Sequence, residues 1–168
     1  MPPRVILIGP PGAGKSSVGK SLARLLNDEF VDTDSVIAEQ ENLSISEIFV
    51  DKGEPYFREK ELQVLLYQIN THTGVLSLGG GAPLSDLAQS AIKSCGAPVV
   101  FLDVSLAGAA PRVGFNRDRP LLLGNPRAQW QELMSVRRPI YESLAHHCVV
   151  TDKLTPNEAA AQIVTLLA

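Results

Sequence analysis

The sequence has 168 residues, a net charge of −3, 45% apolar residues and 20% charged residues. This length suits one compact domain spanning 1–168 with a sizeable core, and the negative balance argues against a surface-wide phosphate-backbone footprint. No apolar run approaches membrane-spanning length, and Met1-Pro2-Pro3-Arg4 begins no signal-peptide pattern. The expectation is therefore a cytoplasmic protein, a monomer, with neither a nucleic acid nor a membrane as partner.

In chain order, Val5-Ile6-Leu7-Ile8 is apolar on both faces and stops at Gly9, the pattern of a buried parallel strand. Apolar residues at Val18, Leu22, Leu25 and Leu26 follow at helical spacing over Lys15–Leu26. Phe30-Val31 predicts a second strand, running into Asp32-Thr33-Asp34 and a helix through Val36 and Ile37. Ser44-Ile45-Ser46-Glu47 has the form of a capping box opening a short helix to Lys52. A longer helix is expected from about Pro55 to Asn70, with its proline at a tolerated early position. A third strand, 74–78, ends at Gly79-Gly80-Gly81; a helix over about 85–93 and a fourth strand over 98–102 follow. Val149-Val150 ends a fifth strand, and Pro156–Leu167 is a closing helix.

Strands alternating with helices predict an α/β fold: βαβ units with right-handed crossovers, and a parallel sheet of five strands covered on both faces, hence three α/β/α layers. Residues 114–127 lack periodicity and are rich in Arg, Gly, Pro and Asn, the marks of a functional, mobile loop. Cys95 and Cys148 lie far apart with no metal-ligand spacing, so both are expected as buried thiols filling apolar space. His72, His146 and His147 form no ligand pattern, and Trp130 is expected in a helix with partial core burial.

Gly9-Pro10-Pro11-Gly12-Ala13-Gly14-Lys15-Ser16 matches G-x-x-x-x-G-K-[ST] in full, between a buried strand and a helix. Glycines let backbone N–H groups turn inward round a phosphate chain, and the helix presents its positive end to the same anion. Lys15 would supply a point charge to the β and γ phosphates and Ser16 a hydroxyl to Mg²⁺. The motif predicts nucleotide binding without separating a kinase from a GTPase or an ATP-driven motor.

Asp32 and Asp34 end the second strand two residues apart, so on extended backbone both side chains would face one side, beyond the carboxyl ends of the strands where ligands sit. Asp32 could hold Mg²⁺ through water and Asp34 could orient an acceptor hydroxyl and take its proton; equally, Asp34 could simply cap the helix it precedes. Arg58, Arg119 and Arg137 are each suited to a carboxylate or a phosphate, or to solvent. Three consecutive glycines, Gly79–Gly81, suggest a backbone that something approaches closely.

Taken together, Gly9–Ser16, Asp32-Thr33-Asp34, Phe57-Arg58 with Glu61, Gly79-Gly80-Gly81, Arg119-Pro120-Leu121-Leu122 and Arg137 with Pro139-Ile140-Tyr141 resemble the shikimate kinase family, P-loop proteins of the nucleoside-monophosphate-kinase-like group. The resemblance implies phosphorylation of the 3-hydroxyl of shikimate by ATP, with Mg²⁺, in aromatic amino-acid biosynthesis. ATP would be held by Gly12, Ala13, Gly14, Lys15, Ser16, Ser17, Arg112 and Arg119, and the metal by Ser16 and Asp32. Shikimate would contact Pro11, Asp34, Phe49, Phe57, Arg58, Gly79, Gly80, Gly81 and Arg137, with Glu61 holding Arg58 in place. Lys15, Asp34 and Arg119 would carry the chemistry. The resemblance further implies a mobile lid over about 113–126 and acceptor-binding helices over about 34–62. Of the adjacent arginines, Arg137 is the match by its distance from Pro139-Ile140-Tyr141. A kinase for another small hydroxy acid, such as gluconate, would share the phosphate loop but not the set Asp34, Arg58 and Arg137. A regulatory nucleotide binder on the same fold would have lost Lys15, Asp34 or Arg58, and all three are present.

Overall fold

A computed structural model of the chain describes residues 2–113 and 125–168. The elements in order are β1 (Val5–Ile8), α1 (Lys15–Leu26), β2 (Phe30–Asp32), α2 (Thr33–Glu41), α3 (Ile45–Lys52), α4 (Glu54–Thr71), β3 (Val75–Ser77), a 3₁₀ turn (Ala82–Leu84), α5 (Asp86–Ser94), β4 (Val99–Asp103), α6 (Leu106–Val113), α7 (Pro126–Leu144), β5 (His147–Val150) and α8 (Pro156–Leu167).

The strands form one sheet in the order β2-β3-β1-β4-β5, and every pairing is parallel. β1 is central and its four residues are fully buried, which is why its sequence carries no polar alternation. The strand order reverses around β1, so its carboxyl end opens into the crevice where doubly wound sheets bind ligands. The expected parallel α/β architecture is borne out, with strand and helix ends within two residues of those read from the sequence.

Local signals account for several boundaries. Asn27 and Asn42 adopt positive φ of 52° and close α1 and α2, a geometry that asparagine tolerates. Ser44 and Glu47 form the expected capping box at α3, and Thr155 and Glu158 form a second at α8. Helix α6 has no counterpart in the periodicity reading, because Gly108 and Pro111 lie inside it and both weaken a helical pattern.

The described residues form two hydrophobic clusters. The larger lies on both sides of the sheet. The smaller joins Ile37, Ile48, Phe57 and Val64, from α2, α3 and α4, with Phe49 and Ile45 packed against it. These three helices thus carry a core of their own beside the carboxyl edge of β2 and β3. At their outer side the Glu41 carboxylate meets Lys52 Nζ at 2.7 Å and the Tyr56 hydroxyl at 2.8 Å, tying all three together.

Cysteine burial differs from expectation: Cys95 is half-buried and Cys148 exposed. Cys148 lies on β5, an edge strand paired only with β4, whose pattern alternates between buried and open positions. No helix among the described residues is long and apolar enough to cross a membrane.

Candidate active site

Residues 9–14 form a loop at the end of β1, with positive φ at Gly9, Gly12 and Gly14, a backbone only glycine adopts cheaply. Gly12 has a second reason for its identity: an added Cβ would lie 2.7 Å from Val113 Cγ2 and 3.0 Å from Ala109, so the loop rests directly on α6. Lys15 Nζ donates to the carbonyls of Gly9 and Pro10 at 2.7 and 3.0 Å. The loop borders a cleft of about 420 Å³ shared with Asp32, Asp34, Gly79, Gly80, Arg112, Thr151 and Pro156. Gly12, Ala13, Gly14, Lys15, Ser16 and Ser17 all line it, as nucleotide ligands on this motif require.

Ser16 Oγ donates to Asp32 Oδ2 at 2.7 Å. The other oxygen of Asp32 accepts from Asp34 N at 2.8 Å and Ser35 N at 3.3 Å. The chain therefore turns helical at Thr33, one residue after β2, and Asp32 rather than Asp34 is the N-cap. The extended-backbone reason for pairing the two aspartates does not hold, because Asp34 already sits in the first turn of α2. Both side chains still border the same cleft. A hydroxyl beside a carboxylate is the sparse hard-oxygen set that suits Mg²⁺ when waters and phosphates complete its shell.

The glycine triplet is explained by contacts. None of its members has positive φ. A Cβ on Gly79 would run into the Asp34 carboxylate, one on Gly80 would lie 3.0 Å from Arg137 Nη1, and one on Gly81 would run into the Arg58 guanidinium. Each glycine thus seats one polar side chain, and the three are brought together from α2, α7 and α4. Pro11 Cδ also approaches the Gly80 position, at 3.3 Å. Gly79 N donates to the buried Thr33 Oγ1 at 3.0 Å, and the Tyr141 hydroxyl donates to Gly80 O at 2.6 Å, so the triplet is held rather than loose. Burial pushes the Tyr141 phenol up to about 12.

Arg58 Nη1 donates to Glu61 at 2.9 Å and Nη2 to Glu54 at 3.3 Å. Its guanidinium lies 5.4 Å from the Phe57 ring and 6.0 Å from that of Phe49, and the two rings pack 4.8 Å apart. Burial works against the Arg58 charge, but Glu61 and Glu54 outweigh it and hold the group above its ordinary value. Burial pushes the Glu61 carboxyl up, an effect Arg58 only partly offsets. Of the adjacent arginines, Arg137 is buried toward Gly80 and its Nε has no hydrogen-bond partner among the described residues. Arg138 instead binds Asp103 through both terminal nitrogens at 2.8 and 2.9 Å, a fork-to-fork pair.

Arg112, on the last turn of α6, donates to Gly12 O at 3.1 Å and, from its other terminal nitrogen, to Thr151 O at 2.8 Å. Arg119, and most of the lid expected over 113–126, lie outside the described residues. Sequence reasoning named Tyr141 only as part of the motif that marks Arg137, without its bond to Gly80, and did not single out Thr151 or the hydrogen bond of Trp130 to Pro11 O at 3.0 Å. Their partners are 61 to 138 residues away, and no local pattern marks such contacts.

The family model described as "Shikimate kinase" matches residues 11–168. The chain is 46% identical over 168 residues to a shikimate kinase of Salinispora arenicola, covering all of this chain and 99% of that one. It is 47% identical over 161 residues to a shikimate kinase of Thermobifida fusca, covering 96% and 92%. The structure of a shikimate kinase from Acinetobacter baumannii in complex with shikimate superposes with a TM-score of 0.94 at 33% identity, covering 99% of this chain and 93% of that one. With the phosphate loop, the paired aspartates and the side chains seated on the glycine triplet in one cleft, the chain belongs to the shikimate kinase family and is a kinase.

Proposed function

We propose that the chain transfers the γ-phosphoryl group of ATP to the 3-hydroxyl of shikimate, giving shikimate 3-phosphate and ADP, as a step of aromatic amino-acid biosynthesis in the cytoplasm. The observation that carries this reading is the seating of Asp34, Arg137 and Arg58 on Gly79, Gly80 and Gly81, beside a phosphate loop. Two guanidinium groups and one carboxylate on a common ledge suit a small acid bearing hydroxyls. Arg58 and Arg137 take the carboxylate, and Asp34 takes the ring hydroxyls, including the attacking one. Phe49, Phe57 and Pro11 supply apolar walls, and the Gly79–Gly81 backbone approaches the ring. An acceptor lacking the acid would leave the buried Arg137 guanidinium without that counter-charge, which disfavours it strongly.

Gly12, Ala13, Gly14, Lys15, Ser16 and Ser17 hold the phosphates of ATP, with Arg112 beside the adenine. Ser16 and Asp32 hold Mg²⁺, which neutralises charge developing on the phosphate oxygens. Lys15 meets the phosphoryl group, and Asp34 orients the hydroxyl and receives its proton. A loose transition state needs alignment and charge offset more than a strong base. Arg119, in a lid over about 113–126, adds positive charge on closure, while helices over about 34–62 carry the acceptor. The protein acts as a monomeric single domain without nucleic-acid or membrane partners.

The test is ADP release from Mg-ATP with shikimate, gluconate, AMP or no acceptor. Release that depends on shikimate alone is expected. Release with gluconate or AMP would overturn the acceptor assignment, and none with any acceptor would overturn the transfer reading.

A further inference from the structure

The outward face of the phosphate loop is held by side chains at five consecutive carbonyls. Lys15 binds Gly9 O and Pro10 O, Trp130 Nε1 binds Pro11 O at 3.0 Å, Arg112 binds Gly12 O, and Thr151 Oγ1 binds Ala13 O at 2.8 Å. Lys15 has three ammonium donors to divide between these carbonyls and a phosphate, whereas Trp130, Arg112 and Thr151 can hold the loop's shape throughout turnover. Trp130 and Thr151 are suited to this: they are 4% and 2% exposed and need not touch the nucleotide to act. In a trans peptide the C=O and the next N–H point in opposite directions, and the chain has no cis peptide among the described residues. Fixing Pro11 O outward therefore aims the Gly12 N–H at the cleft, and fixing Ala13 O aims the Gly14 N–H there. The Thr151 hydroxyl also accepts from Arg112 Nη1 at 3.1 Å, so the end of β5 and the end of α6 bear on one loop.

Building on the nucleotide reading above, we infer that Trp130 and Thr151 are positioning residues for phosphate binding, holding the loop's carbonyl face so that its amide face is preset for the nucleotide. Trp130 sits in the second turn of α7 and Arg112 in the last turn of α6. The two helices that flank residues 114–124 are thus both hydrogen-bonded to the loop. Any displacement of either helix is felt at the amides that meet the phosphates.

The test uses the full chain and two near-isosteric variants, Trp130→Phe and Thr151→Val, which keep most of the buried volume and remove the donor. Mg-ADP affinity is measured by calorimetry well below the melting temperature, with shikimate binding in the absence of nucleotide as control. Trp130→Phe should weaken Mg-ADP by about three- to tenfold, the worth of one neutral hydrogen bond. Thr151→Val should weaken it at least as much because the Arg112 contact is lost too, and both should leave shikimate affinity within about twofold. Trp130 is the sole tryptophan, so wild-type indole emission should also shift on adding Mg-ADP. Folded variants that bind Mg-ADP as wild type does, or that lose both ligands equally, would overturn the inference. If Trp130→Phe fails to fold, Thr151→Val decides alone by the same criteria. A wild type that binds no Mg-ADP would overturn the nucleotide reading itself, and this inference with it.

Discussion

The Tyr141 hydroxyl donates to the carbonyl of Gly80 at 2.6 Å, joining the middle of the glycine triplet to the helix that carries Arg137. Both ends of the arginine's seat are thus set by one helix, since Arg137 lies one turn before Tyr141 and faces Gly80 itself. Burial pushes this phenol up to about 12, so it remains a neutral donor at any working pH. Tyr141→Phe should therefore cost about 1–3 kcal/mol of stability, because a buried carbonyl loses its partner. It should also raise the KM for shikimate more than that for ATP. Urea denaturation and steady-state kinetics on the same preparation check both.

The triplet's identity can be tested without touching a charged residue. A methyl on Gly81 meets the far end of the Arg58 side chain, which can swing aside, so Gly81→Ala should fold. Displacing that guanidinium removes a charge-assisted contact, which predicts a shikimate KM raised by about ten- to a hundredfold. The ATP KM should stay close to wild type. Equal changes in both would separate the triplet from the acceptor.

Asp32 is the N-cap of α2 and, in the proposed function, a partner of Mg²⁺, two tasks that substitution can split. Asparagine is as good an N-cap as aspartate, whereas alanine costs about 1 kcal/mol. Asp32→Asn should thus keep stability near wild type, and Asp32→Ala should lower it. Both should require more Mg²⁺ for half-maximal rate, because both lose the carboxylate that faces Ser16. A magnesium titration beside a denaturation curve distinguishes cap from metal partner.

Glu61 gives a pH dependence of defined sign. Burial raises its carboxyl in the folded state despite Arg58, so the folded protein takes up this proton at higher pH than the unfolded chain does. Its contribution to stability is fully present below the ordinary glutamate range and is lost as pH rises through the raised value. Function runs the other way: protonated Glu61 no longer holds Arg58 at 2.9 Å as an ion pair. The shikimate KM should therefore rise on acidification at a pH above that of an ordinary glutamate. Glu61→Gln should remove that limb of the profile, seen by measuring KM across pH at saturating ATP.

Much of the site was legible because its signals are local. Strand, glycine loop and helix are contiguous around Lys15, and the capping box at Ser44 needs only four residues. The choice of Arg137 over Arg138 rested on spacing to Pro139-Ile140-Tyr141, and in the fold Arg138 is committed to Asp103. What escaped depends on distant partners or on exact boundaries. Whether Asp32 or Asp34 caps α2 turns on where the helix starts, a matter of one residue. The three glycines suggest a close approach in sequence but not its partners, and only the tertiary approach of Asp34, Arg137 and Arg58 supplies them. Cys148 was misjudged because apolar neighbours do not reveal that β5 is an edge strand.

In the proposed function Arg58 and Arg137, seated on Gly81 and Gly80, form the acceptor site and not the nucleotide site. Calorimetric titration of Arg58→Ala and Arg137→Ala with shikimate and, separately, with Mg-ATP tests this division. The prediction is a loss of shikimate affinity of tenfold or more, about the worth of one charge-assisted contact, with Mg-ATP affinity within about twofold of wild type. Loss of both ligands in parallel, or shikimate binding that survives either substitution, would contradict it.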